Sequence, residues 1–288
     1  MRQALIETAR AKVNLTLRVV GRRPDGYHDL ESLVAFADVG DGIEFRPGAP
    51  PAVTVHGPFA GAIDGTNIAA LALQNVAAAA AGIELGAVAI DKRLPVAAGL
   101  GGGSADAAAV LRAVRRTNPA WAAAIDWHAI AASLGADVPV CLHGAAQFMW
   151  GTGHDTVVVP TLPPLPAILV NPGVPLATAD VFRALAAAPV PSAMRAPVPP
   201  GPFRDGAAVV AYMGDHANDL EPAAVARCPP IGVVLAALRA LPGAQIARMS
   251  GSGPTCFALF DTAADAADAA RRIDVREPRW WVEATTLR

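Results

Sequence analysis

The segment GAVAIDKRLPVAAGLGGGSADAAAVLRAVRRTN, running from Gly86 to Asn118, limits what this chain can fold into more than any other. A short alternating run, AVAID, leads into four glycines within five positions (Gly99, Gly101, Gly102, Gly103), and an Ala-rich run follows. The spacing predicts a strand, a glycine loop and then a helix carrying Arg112, Arg115 and Arg116 on its outer face. A helix N-terminus exposes unpaired N–H groups and the positive end of the macrodipole, so a glycine loop entering one suits a phosphate. This loop is not of the Walker type, because no Lys-Ser/Thr pair follows the last glycine. It also fits the dinucleotide fingerprint poorly, since Ser104 stands where a third glycine belongs. On spacing alone, a closely packed strand-to-helix turn accounts for it equally well.

The rest of the chain alternates strands and helices. Apolar alternation over residues 4–20 predicts a first strand, and ESLVAFADVGDGIEFRP and AVTVHG predict further strands after the turn GRRPDGYHDL. TNIAALALQNVAAAAAG predicts a helix with Thr66 as N-cap and Gly82 as its stop. DWHAIAASLGAD predicts another helix, and AAQFMWGTGHDTVVVP a strand, a turn and a strand. The composition then becomes proline-dense, which places a domain boundary near residue 162, dividing the chain into 1–162 and 163–288. In the second part we expect a Pro-rich surface loop over 188–206, helices around 206–227 and 230–241, the glycine-interrupted strand ARMSGSGPTCFALF, a helix AADAADAARRI and a last strand RWWVEATTL.

Composition narrows the class of function. Hydrophobic residues make up 53% of the chain, but alanine supplies much of that share, and no run is long and apolar enough to predict a membrane span. The first residues lack the apolar core of a signal peptide, which leads to the expectation of a cytoplasmic protein. Three widely separated cysteines, Cys141, Cys228 and Cys256, suggest neither a disulfide framework nor a zinc site. A net charge of −2 with scattered arginines argues against nucleic acid and against an RNA-binding module. A small-molecule ligand is the expectation, with no obligate protein partner evident. Of 23 basic residues only Lys12 and Lys92 are lysines. A chain that uses arginine almost everywhere keeps lysine where a compact ammonium is required and a planar fork does not fit.

Several other residues could carry chemistry. Lys12 and Asn14 point to one face of the first strand, although a lone strand lysine is more often solvated. Asp137, before Val138-Pro139, reads first as the N-cap of a following helix. Tyr27 and His28 follow the turn PDG and are available for stacking and hydrogen bonding. Phe182 fits a core position as well as a ligand contact, and SGSGPT (250–255) fits a tight turn between strands.

PVAAGLGGGSADAA resembles the phosphate-binding motif of the GHMP kinase superfamily of small-molecule kinases, and ARAKVNLTLRVVGRRPDGYHDLESL and MSGSGPTCFALF stand in the order that superfamily shows. The AKVN strand followed by DGYH, with TNIAALAL, LGADVPVCLHG and HANDLEP, is similar to its branch acting on a cytidine-diphosphate methylerythritol, and the likeness covers nearly the whole chain. Homoserine and mevalonate kinases share the glycine loop but not DGYH, and a relative that kept the fold and lost turnover should lack Lys12 or Asp137, which are both present. The resemblance implies an α+β, two-domain fold: a ribosomal-protein-like α/β domain, then a ferredoxin-like one. It implies ATP and Mg²⁺ as the cofactors and the cytidyl alcohol as the small-molecule partner. Lys12 and Asp137 become a catalytic pair in which Asp137 takes the proton of the substrate hydroxyl. Asn14, Tyr27, His28 and Phe182 become substrate contacts, the aromatic ones on the cytosine ring. Asn67, Lys92, Pro95, Val96, Ala97, Ala98, Gly99, Leu100, Gly101, Gly102, Gly103 and Ser104 become ATP contacts, with Gly251, Ser252 and Gly253 approaching the phosphates. Ser104 adds a hydroxyl to phosphate or to Mg²⁺. Family members commonly have glycines where this chain has Ala97 and Ala98.

Overall fold

The computed structural model describes residues 3–63, 65–190 and 197–288. The chain is α+β, and its residues group into two compact units that are each discontinuous in sequence. Residues 1–11, 39–96 and 101–144 form the first, and residues 12–38, 97–100 and 145–288 form the second.

The strands of the first half of the chain are β1 (Leu5–Asn14), β2 (Arg18–Arg22), β3 (His28–Pro47), β4 (Ala52–His56) and β5 (Gly86–Asp91). Its helices are α1 (Ile68–Ala79), α2 (Gly102–Thr117), α3 (Trp127–Leu134) and α4 (Val138–His143). In the first unit the end of β3 pairs antiparallel with β5, from Gly42↔Asp91 to Pro47↔Gly86, and β4 runs parallel to β5. The alternation of β5 buries Val88 and Ile90 on one face. Helix α2 packs against α1, α3 and α4, and its alanines let these helices approach closely. Asp126 caps α3 by accepting from Ala129 N–H at 2.8 Å.

The second unit adds β6 (Gln147–Gly151), β7 (Asp155–Val158), β8 (Leu165–Asn171), β9 (Ile246–Met249), β10 (Cys256–Leu259) and β11 (Trp281–Leu287). Its helices are α5 (Thr178–Leu185), α6 (Gly206–Asp215), α7 (Glu221–Arg227), α8 (Pro230–Arg239) and α9 (Ala263–Arg276). Strand β8 is flanked by β10 and β11, both antiparallel, and β9 extends the sheet beyond β10. Helices α8 and α9 cover this sheet, burying Ile168, Val170, Ile231, Val234, Leu235, Ala269 and Ile273 in one core. The start of β3 pairs with β2 and with β6.

Three local expectations are corrected. The single strand over 4–20 is two strands, because Leu15 N–H and Thr16 N–H both turn to Leu33 O and Leu17 N–H bonds to Ala217 O. The cap of α1 is Asn67, not Thr66: Asn67 Oδ1 accepts from Ala69 N–H at 2.9 Å. That helix stops at Ala79, before Gly82, whose φ of +85° serves the turn beyond it. Of the Pro-rich stretch 188–206, residues 191–196 lie outside the described ones, and Phe203 is buried with its N–H on Thr161 O.

Candidate active site

Within the first unit, the glycine run enters α2 as the spacing predicts. Gly101 occupies the N-cap position in the left-handed region (φ +63°), no side chain caps the helix, and its first turn holds no acid. The first backbone bond of the helix is Ala105 N–H to Gly101 O, so the amides of Gly102, Gly103 and Ser104 have no acceptor within α2. A sixteen-residue helix thus presents its positive end at the glycine run. Pro95 is buried just upstream, and Val96, Gly103 and Ser104 are at least partly exposed.

Lys92, directly after β5, is 2% exposed. Its Nζ donates to Asp41 Oδ2 and to Asp106 Oδ2, both at 2.6 Å. Asp41 Oδ1 accepts from Arg93 N–H at 2.6 Å and Leu94 N–H at 2.8 Å. Burial opposes the lysine's charge, but Asp106 and Asp41 together hold its pKa above the ordinary value. Burial also pushes the Asp106 carboxyl up to about 7, against the pull of Lys92. Asp137 stands at the N-cap of α4 with its side chain making no capping bond, so the capping role suggested by Val138-Pro139 is not what this carboxylate does. Asn67 is half-buried and caps α1.

The second unit gathers three stretches far apart in sequence. Lys12, 4% exposed, donates from Nζ to Asn14 Oδ1 at 2.9 Å, and Asn14 Nδ2 donates to Ser32 Oγ at 2.7 Å. Asn14 N–H donates to Ser250 Oγ (3.1 Å), which in turn donates to Gly99 O (2.9 Å). Lys12 N–H bonds to Leu100 O, and Thr255 N–H to Ala98 O. A Cβ on Gly99 would fall 2.4 Å from Ser250 O, so glycine is obligatory there for close approach as well as for its φ of +74°. Ala97 holds φ +51° without being glycine. Gly251 and Gly253 are buried with positive φ, and Asn218 Nδ2 donates to Met249 O and Gly251 O, both at 2.8 Å. Ser252 Oγ meets Thr178 Oγ1 at 2.8 Å.

Also within the second unit, the rings of His28 and Phe182 stack at 4.7 Å, 29° from parallel, while Tyr27 is 66% exposed. Burial lowers the His28 pKa, and Arg22 lowers it further, so its surroundings favour the neutral imidazole. The structure therefore joins Lys12, Asn14, Ala98–Leu100 and the 250–253 turn in one network and His28 with Phe182 in another. Asp41, Asp106, Ser32, Ser250 and Asn218 went unnoticed in the sequence. Ser32, Asp106, Ser250 and Asn218 lie inside stretches already singled out, whereas Asp41 gave no local signal.

Comparison with known proteins agrees with this geometry. The model of the GHMP kinases N terminal domain matches residues 66–145, and that of the GHMP kinases C terminal matches residues 202–276. The 4-diphosphocytidyl-2-C-methyl-D-erythritol kinase of Bradyrhizobium sp. (strain ORS 278) is 48% identical over 295 residues, covering 99% of this chain and 97% of its own. The kinase of the same name from Methylorubrum extorquens is 48% identical, covering 98% and 99%. Among solved structures, a 4-(cytidine 5'-diphospho)-2C-methyl-D-erythritol kinase superposes with a TM-score of 0.75 at 32% identity, covering 98% of this chain and 99% of that one. A homoserine kinase from Cytophaga hutchinsonii, TM-score 0.69 at 19% identity over 100% and 96%, shares the fold.

Proposed function

This chain belongs to the 4-diphosphocytidyl-2-C-methyl-D-erythritol kinase family of the GHMP kinases, and from that premise we propose that it transfers the γ-phosphoryl group of ATP to the 2-hydroxyl of 4-diphosphocytidyl-2-C-methyl-D-erythritol. The observation that carries the substrate is full-length agreement at 48% identity with kinases of that name. The reaction needs phosphates held, charge neutralised and a hydroxyl proton accepted, with no covalent bond to the protein. The amides of Gly102, Gly103 and Ser104 at the head of α2 hold the phosphates, and Gly99 with the Gly251–Gly253 turn shapes the backbone approach.

Asp137 accepts the proton from the substrate hydroxyl as its oxygen attacks the γ-phosphorus and ADP leaves. The Lys12 ammonium, oriented through Asn14, stabilises charge gathering on that oxygen. Neutral His28, with Tyr27 and Phe182, receives the cytosine ring, and Asn67 lies on the adenosine side. We keep 1–162 and 163–288 as the two domains of this reading, and a cytoplasmic location; no helix among the described residues is long and apolar enough to cross a membrane.

Among the described residues no three His, Cys, Asp and Glu side chains gather to hold a metal. Mg²⁺ in nucleotide sites usually relies on phosphates, water and one or two protein oxygens, and the partly exposed Ser104 hydroxyl in the first turn of α2 fits that part. When bound, the ion neutralises phosphate charge that no Walker lysine meets here.

The test is a substrate panel with purified protein. ATP should be consumed with the cytidyl alcohol and not with mevalonate or homoserine, and both Lys12→Ala and Asp137→Ala should abolish turnover. No turnover with the cytidyl alcohol would overturn the substrate, and normal turnover in either variant the catalytic pair.

A further inference from the structure

We propose that Asp41, Lys92 and Asp106 form a positioning clasp that ties the upstream end of the nucleotide loop to the head of α2, so that Lys92 acts on ATP through the loop instead of touching it. The inference rests on the reading of this chain as an ATP-dependent kinase. Its three members come from separate places: Asp41 from β3, Lys92 from the residue after β5, and Asp106 from α2. Asp41 takes the two loop amides, Arg93 N–H and Leu94 N–H, on one oxygen and Lys92 on the other, and Lys92 carries the connection on to Asp106. The glycine run is thereby anchored before it begins and after it ends.

Three features support placement as the role. First, the ammonium has three donors, two of them committed to carboxylates at 2.6 Å, and the side chain is only 3% exposed. Second, a Cβ on Gly102 would lie 3.2 Å from Lys92 Nζ and 3.7 Å from Asp41 Oδ2, so the backbone entering α2 rests directly on the clasp. Third, buried ion triads seldom stabilise a fold more than apolar packing of equal volume does. This one also leaves Asp106 Oδ1 buried without a hydrogen-bond partner, a further cost. An arrangement that adds little stability but fixes one geometry at both ends of a ligand loop is best explained by the loop.

The test compares the wild type, Asp106→Asn and, as a stability control, Val110→Ala, which thins the buried side of the same helix. KM is measured for each substrate, and nucleotide affinity is measured separately by calorimetry with ATP alone. Asp106→Asn should raise the ATP KM and Kd about five- to tenfold, with kcat and the KM for the cytidyl alcohol held within about twofold. Val110→Ala should lower the melting temperature and leave the ATP constants in place. Should Asp106→Asn fail to fold, Asp41→Asn is read the same way, since its Oδ1 still accepts the two amides while its Nδ2 no longer accepts from Lys92. Unchanged ATP constants in a folded variant, or an equal rise in Val110→Ala, would overturn the clasp, as would a wild type that binds no ATP. A wild type that binds ATP yet does not turn over the cytidyl alcohol refutes the substrate instead, and the clasp is then judged on Kd alone.

Discussion

Lys12 and Lys92 are the chain's two lysines, and both are buried, yet their surroundings differ in kind. Lys92 sits between two carboxylates at 2.6 Å, and its ammonium is fixed within a closed ionic group. Lys12 gives a hydrogen bond to the amide oxygen of Asn14, itself held by Ser32, in a strand that also bonds through Lys12 N–H to Leu100 O within the glycine run. A compact ammonium suits both places because three rotatable donors fit where a planar fork would clash. Burial of a charge thus has two uses here: one lysine organises backbone, and the other, bonded to Asn14 Oδ1, is oriented for chemistry.

The difference can be broken by the same change at both positions. Lys12→Met keeps the stem and removes the charge; kcat should fall about 10²–10⁴-fold, and the stability lost in urea should be smaller than in Lys92→Met. Lys92→Met leaves two carboxylates buried without their cation, and unfolding in urea should show a loss of about 3–5 kcal/mol. If Lys12→Met proved the more destabilising and Lys92→Met the more damaging to kcat at saturating substrate, the two roles would have to be exchanged. A second change sharpens the point: Lys92→Met/Asp106→Leu removes a buried carboxyl that has lost its partner, together with its orphan oxygen, and should recover about 1–2 kcal/mol over Lys92→Met alone.

The two glycine turns differ in a related way. The turn at 99–103 opens onto the head of α2, where amides remain without helical acceptors, whereas the turn at 250–253 is buried and bonded on several sides. Ser250 makes the second turn a support for the first, since its Oγ accepts from Asn14 N–H and donates to Gly99 O. Ser250→Ala should therefore cost about 1–3 kcal/mol, the penalty for leaving buried groups unpaired, and lower ATP affinity. An alanine variant as stable as the wild type would show that this hydroxyl is not the link.

Much of this was legible in the sequence because it depends on local chemistry. The strand, glycine loop and helix over 86–117 needed only period and composition, and the rarity of lysine singled out both buried ammonium groups. What was missed depends on distant partners. Asp41 lies within the predicted strand ESLVAFADVGDGIEFRP with no motif around it, and only pairing β3 with β5 brings it to Lys92. The first strand breaks at Leu15 because Leu33, Ala217 and Asn218 divert it, and nothing within residues 4–20 signals that. Thr66 and Asn67 are both good caps by type, and backbone geometry alone chooses Asn67.

The smallest expected effect concerns the aromatic pair. His28 is partly buried against Phe182, and burial, more than Arg22, lowers its pKa below 6.5. The sign follows from linkage. As pH falls below the unfolded value of about 6.5, the unfolded chain takes up the imidazole proton before the folded one does. Stability from the neutral ring is thus complete above that pH and is lost as pH falls through the depressed folded value. Phe182→Ala uncovers the ring, so NMR titration should find the His28 pKa moved back up toward 6.5 and the acid-side loss of stability reduced. An unmoved pKa would mean that Arg22, and not packing against Phe182, keeps this ring neutral, and the pair would then be a stack available to a base without any control over protonation.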